Sequence, residues 1–218
     1  MDLERFLLLA PAVLLGLTVH EFAHAFIAFR RGDPTARDAG RLTLNPLKHL
    51  DLMGTLMLFI VHFGWAKPVP VRADRLHHPR TDMVLVSLAG PFSNLLLAIL
   101  LGFGLRGFDA GHLQELAGVE SIVATILFWG VLINVSLFIF NLLPVPPLDG
   151  SRLIAAVVPD RYMPVWQRIE RFAAIGLFVL LLASFALDLG IISNVLIPPV
   201  RAVTDWIFYS PYIGGLGG

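Results

Sequence analysis

The five residues from His20 to His24 carry the clearest chemistry in this chain. They read His20-Glu21-Phe22-Ala23-His24, which is the pattern HExxH. On a helix, residues four positions apart lie about 40° apart around the axis and one turn along it, so both imidazoles share a face. Two such histidines can bind one Zn²⁺, and the intervening glutamate can act as general base on a water molecule at the metal. We therefore expect His20 and His24 as metal ligands and Glu21 as the catalytic residue.

A catalytic zinc also needs a third protein ligand, with a further position left open for water. Asp149 is a candidate, because it closes the run Asn141–Gly150 (NLLPVPPLDG), whose three prolines end or unwind a helix. Its alternative role is the N-cap of a short helix over Gly150–Val158, since aspartate is a favoured cap. The residues alone leave both roles open. The remaining histidines are further candidates: His49, His62, His77, His78 and His112.

Composition places these residues in a membrane protein. Of 218 residues, 56% are hydrophobic and only 15% are charged, and the mean hydropathy is +0.77. Soluble domains carry roughly 25% charged residues, so the surplus apolar surface must face lipid. The formal net charge of zero argues against a nucleic-acid-binding protein. The absence of cysteine excludes disulfides, thiolate metal ligands and a cysteine nucleophile.

We predict an all-α polytopic membrane protein with about five to six transmembrane helices. The HExxH residues lie inside the first apolar stretch, where ionisable side chains cost roughly 2.5–3.5 kcal/mol each on insertion scales for Asp, Lys and Arg. Such residues mark a functional site more often than a polar helix face packed inside a bundle. The apolar stretches cover about residues 6–28, 83–105, 119–143, 172–187 and 191–209.

Basic residues predict the topology. They cluster in residues 30–51, 67–82 and 152–171, and basic loops favour the cytoplasmic side. Both flanks of the short apolar run Leu52–Ala66 are therefore cytoplasmic, and we predict a re-entrant element there rather than a span. Alternating patterns in Gly40–Leu44 and Trp65–Val71 predict a small β-hairpin or sheet between the first and second clear spans. An extended substrate segment could pair with its edge.

Several motifs in this order give the chain a resemblance to a known family. Besides HEFAH and NLLPVPPLDG, they are AGPFSN (Ala89–Asn94), GRLTLNPLKHLD (Gly40–Asp51) and GWAKPVPV (Gly64–Val71). The chain resembles the site-2 protease family of intramembrane zinc metalloproteases, in its compact bacterial and archaeal branch without PDZ or C-terminal regulatory domains. The resemblance extends from about Thr18 to Leu153.

The resemblance implies roles for individual residues. Asp149 becomes the third ligand of one Zn²⁺ per chain, beside His20 and His24. Asn94 and Asn141 are expected near the site, where their amides could hold the substrate backbone or polarise the scissile carbonyl. The alternative for each is an interhelical hydrogen bond within the bundle. Asn134 matches no motif of the family and fits that alternative better.

The resemblance also implies a function. It predicts a multi-pass zinc metalloendopeptidase of the cell membrane, in particular a prokaryotic plasma membrane, with the active site toward the cytoplasm. Its partners are the bilayer and a transmembrane protein substrate, cut in regulated intramembrane proteolysis. One membrane-embedded domain is expected over 1–218, with a catalytic core at about 6–158, C-terminal helices at about 165–209 and a disordered tail at 213–218. The alternatives are a membrane metal-ion transporter and a pseudo-protease that binds membrane helices without cutting them; the intact Glu21 argues against both.

Overall fold

The described residues of the computed structural model are 3–54, 57, 66–106, 108 and 118–209. They are mostly helical. The α-helices are α1 (Leu3–Arg30), α2 (Thr35–Asp38), α3 (Pro79–Leu105), α4 (Gly118–Leu142), α5 (Ser151–Val157), α6 (Met163–Ala186) and α7 (Ile197–Tyr209). Short 3₁₀ turns cover Pro46–Lys48, Ala73–Arg75 and Asp160–Tyr162, and a π-helical turn, Ile192–Leu196, precedes α7.

Three helices pack against one another as the centre of the molecule. These are α1, α3 and α4, and α7 lies against α3 and α4 on one side. Apolar residues fill the core between α3, α4 and α7, namely Ala98, Leu105, Ala124, Val131, Val135, Ile207 and Phe208. Two of them, Ala98 and Ala124, are small, and small residues let helices approach closely in membrane bundles.

The outer faces of these helices are apolar as well. On α3, Phe92, Leu96 and Leu100 are each more than half exposed, an arrangement that lipid stabilises and water does not. Within the described residues, three helices are long and apolar enough to cross a membrane: Leu8–Arg30, Pro79–Leu105 and Gly118–Leu142. The prediction of a helical membrane protein is confirmed, whereas the predicted five to six spans are not.

The predicted β-hairpin is not confirmed, because the described residues contain no β-strand. Gly40–Leu44 forms turns and bends, and one isolated antiparallel bridge joins Leu50 to Ala66. The Lys67 N–H donates to the His49 carbonyl at 2.8 Å. A ladder cannot continue beyond it, because Pro68 and the proline two residues later have no N–H to donate.

Two other predictions concern residues that the structure does not describe. Residues 55–56 and 58–65 of the predicted re-entrant element lie outside the described part of the chain, and so does the predicted tail at 213–218. Both stay predictions.

Asp33 ties the turn after α1 to the extended segment that precedes α3. Its side chain is fully buried and accepts hydrogen bonds from the Arg72 N–H at 2.6 Å and from the Thr35 N–H at 2.9 Å. Burial by itself raises the pKa of this carboxyl. Hydrogen bonds from Arg72 and Thr35 and the charge of Arg75 outweigh burial and lower the pKa below its ordinary value.

We expect Asp33→Asn to destabilise the protein by about 1–3 kcal/mol at neutral pH, because the new NH₂ group faces backbone donors. A lowered pKa in the folded state stabilises the fold above the ordinary value of 3.8 and loses that effect as the pH falls through the folded pKa. The difference in melting temperature between variant and wild type in detergent should therefore be full at pH 7 and shrink below pH 3.8. Asp38→Asn, at an exposed carboxylate nearby, is the matched control. A pH-independent difference would contradict this assignment.

Candidate metal centre

α1 places both histidines of the HExxH motif on its buried face. His20 is 6% exposed and His24 is 8% exposed. Asp149, from the loop between α4 and α5, reaches the same point. Its Oδ2 lies 3.1 Å from the Nε2 of His20 and 3.3 Å from the Nε2 of His24, and the two Nε2 atoms are 2.9 Å apart. The structure thus brings together the three side chains that the sequence pointed to as ligands.

The loop that carries Asp149 folds back onto the end of α4. The Gly150 N–H donates to the Asn141 carbonyl at 2.7 Å, and a Cβ on Gly150 would lie 2.2 Å from the Leu142 carbonyl oxygen. Only glycine permits this close backbone approach. α5 starts at Ser151 with Gly150 as its N-cap and no capping side chain, so the alternative role of Asp149 as helix cap is not seen.

Hydrogen bonds to acceptors on the helix α3 set the tautomer of both histidines. The Nδ1 of His20 lies 2.7 Å from the Asn94 Oδ1, and the Nδ1 of His24 lies 2.7 Å from the Val86 carbonyl oxygen. The orientation of the Asn94 amide is itself fixed, because its Nδ2 donates to the Gly16 carbonyl at 3.0 Å. Both acceptors are oxygens without a proton, so each Nδ1 must carry the hydrogen. In the neutral imidazoles, each Nε2 then presents a lone pair to the centre.

The three converging atoms fit a zinc ion. Zn–N and Zn–O distances of about 2.0–2.2 Å correspond to ligand–ligand distances of about 3.3–3.6 Å in a tetrahedron. The observed distances of 2.9, 3.1 and 3.3 Å are at or a few tenths of an ångström below this range, so a zinc ion fits after a small outward shift of the ligands. A proton bridges two of these electron-rich atoms, whereas a divalent cation binds all three. The buried Asp149 Oδ2 also lacks a hydrogen bond of good geometry to any described residue. His20, His24 and Asp149 could therefore hold a metal ion.

Burial by itself raises the pKa of the Asp149 carboxyl. When the imidazoles of His20 and His24 carry an extra proton in place of a metal, their hydrogen bonds and positive charge outweigh burial and hold the pKa below its ordinary range. An ionised carboxylate is the form that binds a metal.

Gly90 of α3 makes room for the two imidazoles. A Cβ at this position would lie 2.4 Å from the His24 Nε2 and 2.7 Å from the His20 Cε1. Neither distance is possible without displacing a ring, so α3 can approach the histidine face of α1 only with glycine here. This residue lies in the AGPFSN motif, four positions before Asn94.

The asparagines expected near the site have different surroundings. Asn94 is fully buried, and its Nδ2 donates both to Gly16 and, at 2.8 Å, to the Asn134 Oδ1. Both of its N–H groups are thus engaged, which favours the interhelical alternative over substrate binding. Asn134, also fully buried, continues the chain of amides to the Gly130 carbonyl at 2.8 Å. Asn141 is half-buried and lines the cavity described next.

A cavity of about 860 Å³ opens beside the candidate ligands. Glu21 and Asn141 line its polar wall together with the ligands, and α6 contributes an apolar wall that includes Ile175, Phe178 and Leu181. The Oε2 of Glu21 accepts a hydrogen bond from the Val69 N–H at 2.8 Å. The cavity therefore contains a carboxylate, that of Glu21, which is not one of the candidate metal ligands, together with an apolar surface.

The other candidate ligands lie elsewhere or are not described. His49 is buried, and its Nε2 lies 2.8 Å from the Thr43 carbonyl oxygen, which accounts for it as a packing histidine. His77 lies against Gly32, in the turn after α1. His62 and His112 are outside the described residues.

The chain is similar to known proteins over most of its length. The family model described as Peptidase family M50 matches residues 111–184. A protein of Bacillus subtilis (strain 168), named "Putative zinc metalloprotease YwhC", is 41% identical over 199 residues, which cover 91% of this chain and 88% of that protein. The protein named "Putative zinc metalloprotease Rip2" of Mycobacterium tuberculosis (strain H37Rv) is 36% identical over 187 residues, 82% of this chain and 68% of that protein. No solved structure matches the chain.

We expect Asn94→Ala to weaken zinc binding about 10- to 100-fold, because the His20 ring loses the acceptor that fixes its tautomer and orientation. Competition with a chromogenic chelator measures the affinity on the detergent-purified protein. Ser136→Ala removes a hydroxyl from an exposed position of α4 and is the control. Unchanged affinity in Asn94→Ala would show that His20 does not depend on this amide.

We expect Gly90→Ala to weaken zinc binding by about 1–3 kcal/mol, since the methyl group must push a ligand ring or α3 aside. Gly104→Ala is the matched control on the same helix, because its Cβ would lie 3.5 Å from the Leu127 side chain, an ordinary contact. The same titration checks both variants. Equal affinities for the two would contradict the close approach of α3 to the imidazoles.

Proposed function

Because the chain belongs to peptidase family M50, the family of site-2 proteases, we propose that it is an intramembrane zinc metalloendopeptidase. His20, His24 and Asp149 are its zinc ligands, with one zinc per chain. The observation that carries the proposal is the convergence of these three side chains on one buried point, with Glu21 beside them in a cavity. Both relatives carry names that begin "Putative zinc metalloprotease", which agrees with it.

The residues around the metal divide the work of peptide hydrolysis. The zinc supplies Lewis acidity, which polarises a carbonyl group and makes water more acidic. Glu21 takes the proton from the attacking water and delivers it to the departing amine. Asn141, on the cavity wall, donates an N–H to the substrate backbone or to the oxygen that gains charge. Its Nδ2 donates to the Leu137 carbonyl at 3.0 Å, which leaves the second hydrogen of the amide for this purpose.

The cavity supports a transmembrane segment as substrate. Its lining on α6 is apolar, which suits the side chains of a membrane helix, and the hydrolytic groups line the same cavity. Peptide bonds of a helix are shielded by their own hydrogen bonds, so the substrate must unwind locally to reach Glu21. Release of a membrane-bound protein by such a cut is the chemistry of regulated intramembrane proteolysis.

We place the active site on the cytoplasmic side of a prokaryotic plasma membrane. The argument is the charge of the segments that flank the spans, since residues 30–51, 67–82 and 152–171 concentrate the basic side chains. The HExxH residues lie near the α1 end that leads into the first of these segments. Under this topology, α6 and α7 provide the further membrane helices.

Glu21→Gln tests the function most sharply. We expect the cleavage rate of a model transmembrane substrate to fall about 10²- to 10⁴-fold, the usual contribution of a general base, while one zinc per chain stays bound. Cleavage is followed by gel on detergent-purified full-length protein with and without a chelator, and zinc by metal analysis. Glu120→Gln, at an exposed position at the start of α4, is the control.

Undiminished cleavage by Glu21→Gln would contradict its role as base. Zinc binding with no cleavage by the wild type would favour the pseudo-protease, and chelator-sensitive zinc flux into liposomes would favour the transporter.

A further inference from the structure

One backbone amide contacts the carboxylate that we propose as general base. The Val69 N–H donates to the Oε2 of Glu21 at 2.8 Å. We propose that this amide, carried by the segment Lys67–Val71, holds Glu21 in the orientation needed for proton transfer, so that the Pro68–Val69 peptide group is a positioning element of the active site. The inference rests on the proposed function. It adds Val69, which acts through its backbone N–H and not through its side chain.

Of the three residues at the centre of this segment, only Val69 has a backbone N–H. Val69 stands between Pro68 and Pro70, and prolines have no N–H. The fixed φ of the two prolines also stiffens the backbone on both sides of the donor. A single N–H on a stiff segment is a defined point of attachment for a flexible glutamate side chain.

Anchors outside the membrane helices fix the segment at both ends. The Lys67 N–H donates to the His49 carbonyl at 2.8 Å, and the Lys67 carbonyl accepts from the Arg41 Nη2 at 2.5 Å. At the other end, the Arg72 N–H donates to the buried Asp33. The position of the donor is therefore set by the protein and not by Glu21 itself.

The contact engages one oxygen of Glu21 and leaves the other for water. A hydrogen bond to an ionised group is stronger than one between neutral groups, so it can restrict the rotation of a side chain with three flexible torsions. The metal ligands do not depend on it, because His20 and His24 have their own partners on α3. Loss of the Val69 N–H should therefore lower the rate and spare zinc.

The same segment was predicted as an edge for pairing with an extended substrate, and the two roles differ in the variants they affect. If substrate pairs along the segment, proline at position 69 or at position 71 removes a donor, and KM rises in both cases. If the amide positions Glu21, only proline at position 69 has an effect, and that effect is a lower kcat.

The experiment compares Val69→Pro with Val69→Ala, which keeps the N–H, and with Val71→Pro, which removes an N–H that Glu21 does not accept. Cleavage kinetics and zinc affinity are measured on the full-length, zinc-loaded protein in detergent. We expect kcat of Val69→Pro to fall about 10- to 100-fold, as for a displaced catalytic group, with KM and zinc affinity close to those of the wild type. Val69→Ala should restore the wild-type rate, and Val71→Pro should keep it.

Three results would overturn the inference. They are an unchanged kcat in Val69→Pro, a rise of KM in both proline variants at constant kcat, and a loss of zinc that parallels the loss of rate. If Val69→Pro does not fold, replacement of the Pro68–Val69 amide by an ester removes the N–H without restricting φ, and the same results are expected. A wild-type protein that binds zinc but does not cleave overturns the proposed function and this inference with it, whereas cleavage by wild type and variant alike overturns the inference alone.

Discussion

Two imidazole nitrogens and one carboxylate oxygen meet at a buried point, and this juxtaposition governs the rest of the structure. The three atoms lie 2.9 to 3.3 Å apart, and each of them directs a lone pair toward the others. Such an arrangement is repulsive in a medium of low dielectric constant unless a cation neutralises it. A metal ion is the cation that can bind all three at once, and imidazole nitrogens and carboxylate oxygens are ordinary zinc ligands.

The helices around this point serve to hold it in place. α1 supplies both imidazoles on one face, and α3 fixes their tautomer through Asn94 and the carbonyl of Val86. α4 supports Asn94 through Asn134 and, at its end, returns the chain so that Asp149 faces the histidines. Because buried polar groups must be paired in a membrane, these contacts also account for why α1, α3 and α4 form the centre of the molecule. The chemistry and the packing thus depend on the same residues.

The sequence predicted the proposed ligands, which the structure brings together, more fully than it predicted the groups that support them. His20 and His24 follow from helical spacing, and Asp149 follows from the resemblance to a family in which an LDG motif accompanies HExxH. Asn94 was expected near the site, but composition and spacing cannot tell which groups an amide faces. The only signal for Asn134 is that a polar residue lies within an apolar span. The Val69 contact cannot be predicted from a pattern of side chains, because its donor belongs to the backbone.

The alternation of residues predicted a hairpin. Prolines in the same segment remove the donors that a β-ladder needs, and the described residues form no hairpin.

The central claim concerns the ligands of the metal, and X-ray absorption spectroscopy of the zinc-loaded, detergent-purified protein measures them directly. The account predicts one zinc per chain, with two imidazole nitrogens and oxygen ligands at about 2.0–2.2 Å, and loss of one oxygen ligand in Asp149→Ala. A zinc shell without imidazole, or a spectrum that Asp149→Ala leaves unchanged, would contradict it.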